Sequence, residues 1–81
     1  MRLTNAQLQF IINSDVERVT KYLIEDKGIS IIHALDIIYN SNIYQKLLDR
    51  KTGLYLYSPA YIYDYLKEEI NSAILLLREE G

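Results

Sequence analysis

Along the first third of the chain, Leu8, Ile11, Ile12, Val16, Val19 and Leu23 recur at steps of three and four. That spacing lines one face of a helix. Thr4 and Gln7 precede the stripe as a capping-box pair, in which each side chain satisfies a backbone N–H that the helix start would leave unpaired. At the other end Gly28 suits the left-handed residue past a helix terminus, and Lys27 places a cation at the negative end of the dipole. The pattern therefore predicts a helix running to about Asp26. Ser14 and Glu17 repeat the capping spacing and would divide this segment in two, but the stripe stays in phase across them and favours one helix.

Ser30 caps a second predicted helix over Ile31 to Asn40, where His33, Asp36 and Asn40 are the polar positions. A helix apolar on almost every side is expected at the centre of a fold. Asn40-Ser41-Asn42 compete for local backbone hydrogen bonds and mark a break, after which Ser41 caps a third helix from Asn42 to about Lys51. Ile43, Tyr44, Leu47 and Leu48 form its buried face. Thr52-Gly53 ends it, and Leu54-Tyr55-Leu56-Tyr57 alternates in the manner of an extended connector lying on the core. Ser58-Pro59 then starts a last helix, with Tyr57 and Ile62 at the positions of a hydrophobic staple. Its stripe of Ile62, Leu66, Ile70, Ala73 and Leu77 carries it to about Glu79. The expected fold is all-α: one four-helix domain spanning residues 1–81, its long first and last helices enclosing two short middle ones.

Composition narrows what such a domain can do. In 81 residues, 49% are hydrophobic, nine Lys and Arg oppose eleven Asp and Glu, and the formal charge is −2. So small a domain has little interior, so some of that apolar surface is expected outside, with a partner to cover it. No run is long and apolar enough to cross a bilayer, and no secretory leader pattern is present, which points to the cytoplasm. The absence of Cys excludes disulfide frameworks and thiolate chemistry. One His, His33, lies near the start of the second helix with no companion ligand in sequence, so no catalytic residue, metal site or cofactor is expected. The consecutive acids Glu68/Glu69 and Glu79/Glu80 diverge around a helix and read as solvated faces.

Eight Tyr are present, seven of them between positions 39 and 65. A Tyr ring buries a large area at low entropic cost while its hydroxyl stays wet, which suits the rim of a small core as well as an interface. Tyr55, Tyr57, Tyr61, Tyr63 and Tyr65 are the candidate partner-binding set. On a helix Tyr61 and Tyr65 share a side and Tyr63 points away from it. The apolar run Ala73 to Leu77 exceeds what one side of a terminal helix buries, so Ile74, Leu75 and Leu76 are the candidate self-association residues of a homodimer. The short break between the second and third helices also fits a helix-turn-helix, with Lys46, Arg50 and Lys51 on or after its second helix. Net acidity, and an excess of only +1 over residues 30–53, argue against a nucleic-acid partner.

Four stretches carry a family likeness: Gly28-Ile29-Ser30 leading into Ala34-Leu35, Ile38-Tyr39-Asn40-Ser41, Thr52-Gly53-Leu54-Tyr55 and Ser58-Pro59-Ala60-Tyr61-Ile62-Tyr63. Over residues 5–70 the chain resembles small bacterial and phage-associated helical proteins of unknown function. Some of these are encoded beside candidate toxins, including ADP-ribosyltransferase-like ones. The resemblance implies an antitoxin-like or toxin-partner role. Together these readings make the expected function non-catalytic protein–protein interaction, with a small DNA-binding regulator over residues 31–51 as the alternative.

Overall fold

A computed structural model describes the backbone of residues 2–80 and, within the last helix, the side chains up to Ile74. Four α-helices follow one another: α1 (Asn5–Lys27), α2 (Ile31–Tyr39), α3 (Asn42–Leu48) and α4 (Pro59–Glu80). Single 3-10 turns at Arg50–Thr52 and Leu54–Leu56 join α3 to α4, and no strand forms among the described residues. The fold is a small all-α four-helix domain.

The helix starts and stops follow the capping chemistry. Thr4 Oγ1 accepts from the Gln7 N–H at 3.1 Å, and Gln7 Oε1 accepts from the Thr4 N–H at 2.9 Å. α1 continues unbroken through Asn13-Ser14-Asp15 to Gly28, whose N–H still reaches the Ile24 carbonyl at 2.8 Å and whose φ of 64° then turns the chain out of the helix. Ser30 and Ser41 accept from the His33 and Tyr44 N–H groups, each at 3.1 Å. Ser41 also donates to the Ile38 carbonyl at 2.6 Å, which turns the chain between α2 and α3 within two residues.

The core is one cluster in which Leu8, Ile12, Val16, Val19 and Leu23 of α1 meet Ala34 and Ile38 of α2, Leu47 of α3, Leu54, and Ile62, Tyr63 and Leu66 of α4. α1 and α4 run antiparallel, since Tyr63 at the start of α4 packs on Tyr22 and bonds Asp26 at the end of α1. The remaining ends are pinned over long sequence distances. Arg50 donates from Nη1 to the Leu3 carbonyl at 3.1 Å and from Nη2 to Asn5 Oδ1 at 2.9 Å.

Two sequence expectations are corrected. Residues 49–57 form turns, where the alternation suggested an extended connector and a longer third helix. Without a neighbouring strand the backbone satisfies its own N–H groups locally, Leu56 to the Gly53 carbonyl and Tyr57 to the Leu54 carbonyl, both at 3.0 Å. Asp49 and Thr52 side chains cap the first turn, and Gly53 supplies the left-handed residue at φ 67°. The second correction concerns α2, which lies at the surface: Ala34 and Ile38 are buried, but Ile31 is 61% exposed and Ile32 82%. A nine-residue helix resting on α1 and α3 covers one of its sides only.

Candidate interaction surface

Ser58 and Pro59 fix where α4 begins, and with it the direction in which the tyrosines point. The Tyr61 N–H donates to Ser58 Oγ at 3.3 Å and the Ile62 N–H to the Ser58 carbonyl at 3.1 Å. At about 100° per residue, this start turns Ile62, Tyr63 and Leu66 inward and Tyr61 and Tyr65 outward. Tyr57, just ahead of the cap, continues the outward row. Its ring meets that of Tyr61 edge-on at 5.6 Å, and Tyr61 meets Tyr65 at 6.0 Å. The three rings thus form a ridge of edge-on and tilted contacts, 39 to 57% exposed. Beside it a hollow of about 180 Å³ is lined by Ile43, Lys46, Thr52, Leu54, Tyr57 and Tyr65.

The five-tyrosine set therefore divides. Tyr57, Tyr61 and Tyr65 are brought together at the surface, and Tyr55 is half-buried against the core. Tyr63 is corrected: it is 7% exposed, so its ring cannot be a contact surface. Its hydroxyl donates to Asp26 Oδ2 at 2.6 Å, and Lys67 Nζ lies 5.3 Å from its ring centre. Burial first, then the bonded Asp26 carboxylate, pushes the Tyr63 phenol well above its ordinary value.

Among the basic residues of the helix-turn-helix reading, Lys46 lines the hollow beside the ridge, while Arg50 is held against Leu3 and Asn5. Lys51 is exposed. The first backbone N–H groups of α3 are already engaged: Asn42 and Ile43 donate to Glu69 Oε2 and Oε1 at 2.9 and 3.0 Å. Glu69 is thus no solvated acid but a cap supplied by another helix, whereas Glu68 is exposed. Farther along α4, Asn71, Ser72, Ala73 and Ile74 are all exposed, so a full turn of the helix faces outward among the described residues. Ile74 is 45% exposed, and the side chains of Leu75 and Leu76 lie outside the described residues.

One charged group escaped the sequence reading. Asp15 is 7% exposed within the apolar face of α1, and its Oδ2 has no hydrogen-bond partner among the described residues. Burial pushes its carboxyl up to about 6. The signal was its position, three residues after Ile12 and four before Val19, which places it inside the stripe.

Among the described residues no three His, Cys, Asp or Glu side chains converge, and no helix is long and apolar enough to cross a membrane. Comparison with known protein families, curated proteins and solved structures gives no match.

Proposed function

We propose that this protein is a non-catalytic protein–protein interaction module of the bacterial cytoplasm. On this reading the Tyr57-Tyr61-Tyr65 ridge is the surface that meets a protein partner. The observation that carries it is that three large rings pack edge-on and tilted against one another at the surface when the core lies one helical step away. Tyrosines ordered in this way lose little entropy on binding and bury a large area, the character of residues that dominate interfaces. The family resemblance makes a co-encoded toxin or enzyme the first partner to try, in an antitoxin-like role. Self-association belongs to the same reading, and Ile74 on α4, the residue that the sequence offers for it, is one of two faces left exposed for that contact.

A DNA-binding role over α2 and α3 has less support. A recognition helix offers its N-terminal end to the duplex, and here the Glu69 carboxylate occupies that end while Arg50 is engaged within the fold. The test is capture from the source cells with the wild type, with Tyr61→Ala plus Tyr65→Ala, and with Lys51→Glu, a lysine that is exposed and does not line the hollow beside the ridge. The proposal expects a stoichiometric protein partner that is lost with the tyrosine variant and kept with the lysine variant. Retention of nucleic acid that only the lysine variant loses would overturn it.

A further inference from the structure

Between α1 and α2 runs a groove of about 370 Å³ whose apolar wall is Val16, Ile24, Ile31, Leu35 and Tyr39. It lies apart from the tyrosine ridge, and much of its wall stands in water: Ile31 is 61% exposed and Tyr39 48%. Two turns before Glu17 on the same outer side of α1, Phe10 is 75% exposed. Along the groove's rim Glu17 and Lys21 pair at 3.6 Å, with side chains 71% and 65% exposed.

We propose that this face binds a second copy of the chain, the two α1 helices packing antiparallel about a twofold axis between Glu17 and Lys21. The charge pattern is self-complementary in that arrangement, because the twofold sets Glu17 of each copy opposite the partner's Lys21. The same register brings Phe10 of each copy opposite the partner's Gly28, beside the groove end at the partner's Ile24 and the partner's Ile31. Space exists for the ring there: a Cβ built on Gly28 meets nothing within 4 Å among the described residues. A rim of one acid and one base cancels its own field, so it selects neither a polyanion nor an acidic membrane. The groups named make a small contact, below a standard specific interface in size, so the dimer is proposed as a weak, transient one that forms at micromolar concentrations.

The reading is independent of what the ridge binds, and its test uses the whole chain alone. Solution mass is measured by sedimentation at about 20 and about 200 μM, the concentrations that bracket such an affinity, in low salt, where exposed charges act over their longest range. Wild type, Glu17→Lys, Lys21→Glu, an equimolar mixture of these two variants, and Ile74→Glu are compared, with circular dichroism confirming equal helicity. Each charge variant alone sets like charges across the axis twice and should weaken the dimer by at least about tenfold. The mixture should restore it, since the two cations that one variant carries at these positions then face the two carboxylates of the other.

A wild type that stays monomeric at the higher concentration overturns the proposal. So do charge variants that associate as the wild type does, and so does a dimer lost only with Ile74→Glu, which would place the contact on α4.

Discussion

Asp15 illustrates how one side chain sets a pH dependence. Its carboxyl titrates at about 6 in the fold because burial disfavours the charge, against about 3.9 in an unfolded chain. The folded state therefore binds the proton more tightly. Asp15 takes nothing from stability below about pH 4, and its cost grows as the pH rises through the interval to about 6 and persists above it. Asp15→Asn keeps the shape and removes the charge, so it should raise the unfolding free energy at pH 7 by about 1–2 kcal/mol and leave it nearly unchanged at pH 4. Urea unfolding at both values checks this. Equal effects at the two would mean that the carboxyl is solvated in the fold. The position was legible in the sequence as a member of the apolar stripe, but the polar triplet Asn13-Ser14-Asp15 drew attention to helix breaking. Thr20 shows the benign form of the same intrusion: it is buried in α1, yet its hydroxyl donates to the Val16 carbonyl at 2.6 Å.

Among the elements, α3 depends most on its neighbours. Seven residues make too short a helix to persist alone, and two of its leading N–H groups are satisfied by Glu69 from 26 and 27 positions away. Glu69→Ala should therefore cost about 1–2 kcal/mol, the range for losing a helix cap, while Glu68→Ala should stay within about 0.5 kcal/mol. Denaturant unfolding separates them, and equal small losses would show that the cap contributes nothing. Local chemistry made the helix boundaries readable: Thr4 with Gln7, Gly28, Ser30, Ser41 and Ser58-Pro59 each act within four residues. What could not be read depends on distant groups. The Glu69 cap, the Arg50 bonds to Leu3 and Asn5, and the inward turn of Tyr63 onto Asp26 all join segments more than 20 residues apart. The alternation in Leu54 to Tyr57 misled for the related reason that a strand needs a partner strand, which the chain does not provide. α2 differs from its pattern because apolar character does not by itself measure burial, and the molecule is too small to enclose a second side of it.

At the scale of the whole molecule, surplus apolar surface is the common thread. The radius of gyration is 13.6 Å, where a compact chain of this length would have about 12 Å. The extents of 49 × 25 × 17 Å show the elongation, to which the two long helices α1 and α4, of 23 and 22 residues, contribute. An elongated frame of two long helices buries one stripe of each and leaves outer faces to be covered, and both the groove and the ridge lie on such faces. The ridge is the sharper case, because its rings rest on one another and contribute little to the core. If Tyr61 and Tyr65 are held out for a partner, the fold should hardly need them. The measurement is the unfolding free energy of Tyr61→Ala plus Tyr65→Ala beside that of Tyr63→Ala. The account predicts a loss of no more than about 1 kcal/mol for the exposed pair and about 3–5 kcal/mol for the buried ring. A loss for the pair as large as that for Tyr63 would make the ridge part of the core and contradict the proposal.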